Sequence, residues 1–275
     1  MRPTLSLLIV ALASLGSARA DVAAPLASHR AAYEISLAAT DGNRPPNAET
    51  PVSASGLIAY EFRGSSCEGY ASNFRQLTRL QREEGDPISS DIRSLTFEDG
   101  EGKSMKFQID STSAGNEQAP VAGSAARADS GAISVDLTKP AKERLEIDKD
   151  VLFPTQHIEH IIAKAKDGGG TLEARVYDGS DTGKKVFATL TVIGKQADKP
   201  SADADVAQAL GGTRRWPVSV SYFDEGAKDA PPEYVLSFDL YENGVSGTLK
   251  LDYGAFSLTA KLSKLDWLPT PACGK

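Results

Sequence analysis

Residues 234–262 read YVLSFDLYENGVSGTLKLDYGAFSLTAKL, and this stretch decides the fold class. Apolar and polar residues alternate on both sides of Asn243-Gly244, a dipeptide typical of two-residue type I′ hairpin turns. The turn and the alternation agree on one register, which leaves one face apolar and the other mostly polar. The alternation resumes from Phe256 to Leu262, which predicts an antiparallel meander of three strands. The predicted pairs on the apolar face are Leu240–Gly247, Phe238–Leu249, Leu236–Leu251 and Tyr234–Tyr253.

The same period of two recurs along most of the chain and predicts a mainly β protein. The segments 41–52 and 110–130 are rich in Ala, Ser, Gly, Pro and charge, and they predict long loops. Further strands are predicted near residues 32–37, 58–62, 70–80, 95–97, 105–109 and 133–137.

Helical signals are few. Residues 154–166 predict a helix that starts at Pro154, carries isoleucines at helical spacing and ends before Gly168. Its apolar stripe should lie on the sheet. A second short helix is predicted over residues 201–210, with Ser201 as its N-terminal cap.

Residues 1–20 have the pattern of a cleaved signal peptide. Arg2 precedes a short apolar run, and Ala18-Arg19-Ala20 is a small-x-small cleavage site. The apolar run is shorter than the roughly 20 residues that a membrane-spanning helix needs. We therefore predict an exported protein that does not span the membrane, with residues 21–275 as a single domain.

The composition excludes some partners. The formal net charge of the chain is −7, and removal of Arg2 and Arg19 with the signal peptide would make it −9. An acidic chain without a basic run argues against nucleic acid and against electrostatic binding to anionic lipid. We expect a monomer.

The chain has two cysteines, Cys67 and Cys273, far apart in sequence. In an exported protein such a pair usually forms a disulfide. A catalytic redox pair would usually have the short Cys-x-x-Cys spacing. The sequence therefore predicts a structural bond between an early segment and the last residues.

Candidate chemistry is sparse. His157 and His160 are three apart on the predicted helix and can share a face, but nothing designates a third metal ligand. Asp178, Ser180 and Asp181 lie in a glycine-rich stretch whose spacing does not match a calcium loop, so a hairpin turn is the better interpretation. His29 is expected to make a hydrogen bond at a strand end. We predict no catalytic residues, no metal site and no cofactor.

Several sequence blocks, in this order and spacing, resemble the alphaproteobacterial cell-envelope integrity protein EipB family. They span nearly the whole predicted mature chain. The blocks are LASHRAAY at 26–33, FPTQH at 153–157, VYDGS at 176–180, RWPVSVSYF at 215–223, YENGVS at 241–246 and LDYGAF at 251–256, together with the two cysteines.

The resemblance implies a periplasmic protein with one large, curved or spiral antiparallel sheet, barrel-like and similar to the shells of lipoprotein carriers. It also implies a bond between Cys67 and Cys273. A curved sheet with few helices must either fill its concave side or leave a ligand space. The 154–166 helix is the expected plug. The aromatic residues that are candidates for lining a cavity are Tyr60, Phe62, Trp216, Phe238 and Tyr253.

Two functions follow as hypotheses. The first is a non-enzymatic periplasmic protein that supports cell-envelope integrity by binding a partner protein, or a lipid or lipoprotein in an apolar concavity. The alternative is a periplasmic hydrolase that acts on envelope polymers with carboxylates brought together by the fold. The absence of hydrolase motifs such as Gly-x-Ser-x-Gly favours the first.

Overall fold

The computed structural model describes residues 25–39, 50–197, 204–226, 230–271 and 273. The predicted signal peptide, Ser201 and most of the predicted 41–52 loop lie outside these residues. The helices are α1 (Pro154–Lys166) and α2 (Ala204–Ala209). The strands are β1 (His29–Leu37), β2 (Ser53–Ser65), β3 (Gly69–Gln81), β4 (Ile88–Glu98), β5 (Ser104–Ser113), β6 (Asn116–Glu117), β7 (Val121–Arg127), β8 (Ile133–Lys139), β9 (Glu143–Ile147), β10 (Val151–Leu152), β11 (Gly170–Val176), β12 (Phe187–Ile193), β13 (Arg215–Asp224), β14 (Tyr234–Tyr241), β15 (Ser246–Asp252) and β16 (Ser257–Trp267).

All the described strands belong to one sheet. Its order is β10-β11-β12-β13-β14-β15-β16-β1-β2-β3-β4-β5-β7-β8-β9, with β6 paired to β5. The neighbours are antiparallel except for the short parallel pair of β10 and β11. The first and last described strands, β1 and β16, pair in the middle of this order and join the two halves of the sheet, whose edge strands are β10 and β9. The sheet has a nearly closed, barrel-like form. The predicted fold class is confirmed, and the single parallel pair is an addition to it.

The C-terminal hairpin keeps half of its predicted register. Phe238 lies opposite Leu249 and Leu236 opposite Leu251, but Leu240 pairs with Ser246 rather than Gly247. The prediction of a type I′ turn is therefore wrong. Tyr241 N donates to Val245 O and Gly244 N donates to Tyr241 O, so the loop has three residues.

The reason for the different turn lies in the backbone of its last residue. Gly244 has φ +85°, while Asn243 keeps a negative φ, and a type I′ turn needs both positive. A three-residue loop that ends on a left-handed glycine inserts one extra residue, and the bulge after Phe238 absorbs it.

The predicted 110–130 loop is corrected, because it contains β7 and the short β6. The sequence of β7 is VAGSAAR, and its small residues give little strand signal. Small side chains are needed here: a Cβ on Gly123 would come within 2.9 Å of the Phe107 ring. Packing against Phe107 therefore requires small residues in β7, and the sequence alone does not show that packing.

The α1 helix matches its prediction. Pro154 occupies the first turn, and the Gln156 side chain turns back so that its Oε1 accepts the backbone N–H of Phe153 at 3.2 Å. Lys164 and Lys166 lie in the last turn, where cations interact favourably with the helix dipole. The buried side chains of the apolar stripe are Ile161, Ile162 and Ala165. The second helix, α2, ends one residue before its predicted end at Leu210, and its predicted start at Ser201 lies outside the described residues.

Three clusters of buried residues form the core. In the first, α1 packs on the concave face of the sheet. The second lines β1 and β16 and includes Val206 and Leu210 around α2. In the third, Val151, Phe153 and Tyr177 cover the inner face of β5, β7 and β8. This third cluster is where one end of the curled sheet packs against its other end.

A disulfide joins Cys67 to Cys273, as predicted, with their Cα atoms 5.5 Å apart. This separation lies in the usual range for the bond. Cys67 is in the turn between β2 and β3, so the bond fixes the end of the chain beside that turn. It closes a loop across 206 positions of sequence.

Candidate functional site

The concave side of the sheet is occupied by α1. Ile161 is fully buried there, and Ile162 and Ala165 are nearly so. The surface beneath the helix comes from strands on both sides of the sheet and is apolar and aromatic. The buried residues that form it are Leu26, Phe62, Tyr70, Ile193, Trp216, Val218, Val220, Phe238 and Leu240. The helix therefore acts as the plug that the sequence led us to expect.

One buried carboxylate anchors the start of this helix. Glu98, at the end of β4, is 3% exposed. Its oxygens accept the backbone N–H of Thr155 at 3.0 and 3.2 Å, and the Thr155 hydroxyl donates to Oε1 at 2.8 Å. Free N–H groups and the helix dipole make a helix N-terminus a favourable place for an anion. Glu98 thus links the sheet to the plug.

The protonation of Glu98 is shifted by its surroundings. Burial raises the pKa of its carboxyl to about 7, against the opposing effect of the Thr155 hydrogen bonds, and the nearby Glu159 and Asp99 carboxylates act in the same direction as burial. The charged form is therefore costly in this position.

A cavity of about 90 Å³ remains between the start of α1 and the sheet. Tyr60, Phe62 and His29 line it together with Glu98 and Thr155. Pockets that hold drug-sized ligands usually measure about 300–1,000 Å³. The space is of the order of a few water molecules, since each occupies about 30 Å³ in the liquid. It does not hold an acyl chain while α1 is in place.

The five aromatic candidates are separated by the fold. Tyr60 and Phe62 line the small cavity, with ring centroids 6.4 Å apart. Trp216 and Phe238 are buried beneath α1. Tyr253 lies apart from them: its ring packs on Phe256 at 5.4 Å and is 38% exposed.

The histidines have structural surroundings. His29 is buried, and its Nδ1 is 2.7 Å from Ala27 O, which is the strand-end hydrogen bond that we expected. His157 is buried against β12, with Nε2 3.4 Å from Thr189 Oγ1, and burial lowers its pKa to about 4. His160 is exposed. Within the described ranges, no three side chains of His, Cys, Asp or Glu come together in a way that holds a metal ion.

The Asp178 segment is the loop between β11 and β12, in line with the predicted hairpin turn. Asp178 Oδ1 accepts the Ser180 N–H at 2.9 Å, and Gly183 N donates to Ser180 O. The buried Tyr177 hydroxyl donates to Gly183 O at 2.8 Å. The loop is held by its own hydrogen bonds.

Among the described residues, the convex side carries two depressions that are larger than the cavity beside Glu98. Two adjoining depressions of about 410 and 390 Å³ cross the outer face from β16 and β1 to β4 and β5. Both are bordered by Glu61 and Asn73, so they form one continuous groove, which we call the outer trough. Its floor consists of the small side chains of Ala32, Ala59, Ala71 and Asn73.

Large apolar side chains stand at one end of the outer trough. Leu95 is 50% exposed and Phe97 is 41% exposed. Register places Leu95 opposite Asn73 and Phe97 opposite Ala71, so both rise beside the floor of the trough. Exposed apolar groups beside a groove on a soluble protein often mark an interaction site.

Sequence reasoning missed Glu98 and the outer trough. The alternation of β4 carries a signal for Glu98, because it shares a face with Thr96 and pairs with the fully buried Met105. An acidic residue at an inward position needs a partner. Leu95 and Phe97 predicted a strand correctly, but the same alternation cannot say which of its faces is inside.

The comparisons agree with this architecture, a barrel-like sheet around one helix. The EipB-like family model matches residues 20–269. The cell envelope integrity protein EipB of Brucella abortus (strain 2308) is 36% identical over 252 residues, which cover 91% of this chain and 88% of that protein. A crystal structure from Brucella abortus, described as a beta-barrel-like protein of domain of unknown function DUF1849, has a TM-score of 0.80 at 35% identity and covers 90% of this chain and all of its own.

The chain belongs to the EipB-like family. The resemblance seen in its sequence blocks is confirmed. None of the described helices combines the length and apolar character needed to cross a membrane.

Proposed function

We propose that this protein is a non-enzymatic periplasmic protein that supports cell-envelope integrity by binding a partner protein on the outer face of its sheet. The observation that carries the proposal is the contrast between the two faces. The cavity beside Glu98 at the start of α1 measures about 90 Å³, while the outer trough offers depressions of about 410 and 390 Å³ beside exposed apolar groups. The name of the Brucella relative supports the envelope role.

The hydrolase alternative receives no comparable support. Glu98 is the carboxylate with the most strongly raised pKa near the cavity, but its oxygens accept three hydrogen bonds from Thr155. Such a carboxylate is occupied in fixing a helix. The adjoining space is also smaller than a sugar or peptide substrate requires.

Binding of a lipid or a lipoprotein acyl chain is the second candidate function. Removal of α1 would expose a continuous apolar surface that includes Trp216, Phe238 and Leu240, which favours this candidate. It requires the helix to leave, together with the contacts of Glu98 and Thr155.

Two measurements test the proposal. A photoreactive amino acid is placed at Leu95 or at Val192, which are both apolar and both 50% exposed on outer positions of the sheet. We expect ultraviolet light in living cells to give a protein adduct, identified by mass spectrometry, at Leu95 and not at Val192. Native mass spectrometry of the protein purified from the periplasm without detergent should give the mass of the bare oxidised chain.

The lipid candidate predicts the reverse. A retained mass that corresponds to a lipid, with no protein adduct at either outer position, would replace the proposal by the carrier function. A photoreactive amino acid at Ile161, in α1, would then form an adduct with the lipid.

A further inference from the structure

The net charge of the side chains around the outer trough is positive, whereas the net charge of the whole chain is negative. The chain has a formal net charge of −7. The acidic side chains that border the trough are Glu61 and Asp266. The basic side chains that border it are Arg30, Arg63, Arg75, Lys106 and Lys264. The trough is therefore a local basic groove on an acidic protein.

Asp266 balances Lys264 at 3.1 Å, but pairing within the sheet does not neutralise the arginines. Glu61 is shared by Arg30 and Arg63, and one carboxylate cannot balance two guanidinium groups. The same arrangement recurs beside it, where Asp91 is shared by Arg75 at 2.9 Å and Arg93 at 2.8 Å. Each set of three has a surplus positive charge, while the hydrogen bonds hold the arginines in fixed positions.

The dimensions of the trough suit a peptide. It crosses six adjacent strands, β16, β1, β2, β3, β4 and β5. Five inter-strand spacings of about 4.8 Å give a length of roughly 24 Å. That length accommodates about seven residues of extended chain or about four turns of helix.

The distribution of groups along the trough favours an occupant with two kinds of side chain. Leu95 and Phe97 lie at the β4 end, and Lys264 and Arg30 lie at the β16 end. Ala59 and Ala71 are small and exposed between the longer side chains that border the trough, so a peptide backbone can lie directly against the sheet there. Small floor residues allow a backbone to approach closely.

We propose that the outer trough binds a segment of a partner protein that is acidic along most of its length and apolar at the end that meets Leu95 and Phe97. This inference rests on the proposed partner-binding function and names the chemistry of the partner. Arginine recognises carboxylates through paired hydrogen bonds, so aspartates or glutamates of the segment would meet Arg63 and Arg75.

The test is selection of a displayed library of random 12-residue peptides on the oxidised full chain at 50 mM salt. We expect the enriched peptides to have a net negative charge and at least two large apolar residues. Their affinity should fall at least tenfold in the Arg63→Glu/Arg75→Glu variant, and it should also weaken between 50 and 200 mM salt.

The matched control reverses the same number of charges elsewhere. Lys142→Glu/Arg144→Glu changes two exposed residues at β9, outside the trough. Peptide affinity should change less than twofold there. Ala59→Trp fills the floor of the trough without a change of charge and should also lower the affinity at least fivefold. Circular dichroism and melting establish that each variant is folded.

Several outcomes would overturn the inference. They are enrichment of peptides without negative charge, affinity that is equal in the trough variant and the β9 variant, and absence of any enrichment. Binding of anionic phosphatidylglycerol vesicles or of single-stranded DNA in place of peptides would assign the trough to another class of partner. If the photoreactive residue at Leu95 still gives its protein adduct in the Arg63→Glu/Arg75→Glu variant, the proposed function stands and only the acidic segment is wrong.

Discussion

The two ends of the concave side are filled in different ways. At one end α1 is inserted, and its attachment includes two buried titratable groups, Glu98 and His157. At the other end the chain packs against its own sheet through Val151, Phe153 and Tyr177, which are all fully buried and, apart from the Tyr177 hydroxyl, apolar; the two ends meet at Phe153, the residue before α1. The first end, the helix end, depends on buried polar groups. The second end, the sheet end, depends on shape.

The close fit of the sheet end is visible in its glycines. Gly179 has φ +74°, and a Cβ there would come within 2.5 Å of the Phe107 ring. The Phe107 and Tyr177 rings meet edge to face at 5.8 Å. Such packing does not change with pH. Buried carboxylate and imidazole groups do respond to pH, so protonation can adjust the stability of the helix end through Glu98 and His157, whereas at the sheet end burial raises the pKa of one carboxyl, that of Asp178 beside Tyr177.

The largest effect is expected at the sheet end. Tyr177→Ala should lower the free energy of unfolding by about 4 kcal/mol, because it removes a fully buried aromatic ring from a cluster that cannot collapse. Urea unfolding at pH 7 measures this loss.

Tyr177→Phe is the matched control for that variant. It keeps the ring and loses only the hydrogen bond from the hydroxyl to Gly183 O, so about 1 kcal/mol is expected. An Ala variant no less stable than the Phe variant would show that the ring does not hold the sheet end.

The disulfide should have the next largest effect. Cys67→Ser should lower the free energy of unfolding by about 3 kcal/mol, since the bond closes a loop across 206 positions and restricts the unfolded chain. The bond lies beside the turn that leads from Phe62 to Tyr70, and both residues pack on α1. Thermal melting with and without a reducing agent checks this. A melting temperature that does not change would contradict a structural role for the bond.

Sequence alone predicts much of the fold and less of the site. Alternation locates most strands because an inward-facing side chain differs in polarity from its outward neighbour. It fails for β7, because Gly123 and Ala125 have to be small where aromatic rings pack over the strand. It also fails for the hairpin turn, because Asn243-Gly244 permits more than one loop length.

The candidate site depends on contacts between distant segments. Glu98 and Thr155 are 57 positions apart, and the sequence around neither residue indicates the hydrogen bonds between them. The outer trough draws on six strands, so its basic character is invisible in a chain whose overall charge is negative. The α1 plug could be predicted, since a curved sheet needs one and α1 is the longer of the two described helices.

Glu98→Gln should raise the stability of the helix end at alkaline pH. The pKa of Glu98 is raised to about 7 from 4.5, so the folded state holds a proton that the unfolded state has lost between these values. Stability from this group is present below about pH 4.5 and disappears as the pH rises through 7. The variant should match the wild type at pH 5 and exceed its unfolding free energy by about 2 kcal/mol at pH 8.

The control for this variant is Glu68→Gln, at an exposed position in the turn after β2. It should leave the unfolding free energy within about 0.5 kcal/mol of the wild type at both pH values, which is usual for surface substitutions. Destabilisation of Glu98→Gln at pH 8 would mean that the charged carboxylate stabilises α1 by more than its burial costs.

His157→Gln gives the smallest effect and the opposite sign. The pKa of His157 is lowered to about 4 by burial, so acidification from about pH 6.5 protonates the unfolded chain before the folded one. The wild type should therefore lose about 1.5 kcal/mol of stability from this group at pH 5, and the variant should lose none of it. Because Glu98 gains stability over the same pH range, the two contributions largely cancel in the wild type. Relative to the double variant Glu98→Gln/His157→Gln, in which other buried groups such as His29 and Asp178 still titrate, the change in unfolding free energy between pH 5 and pH 8 should have opposite signs in the two single variants. Parallel slopes in the two single variants would show that the helix end is not balanced by these two groups.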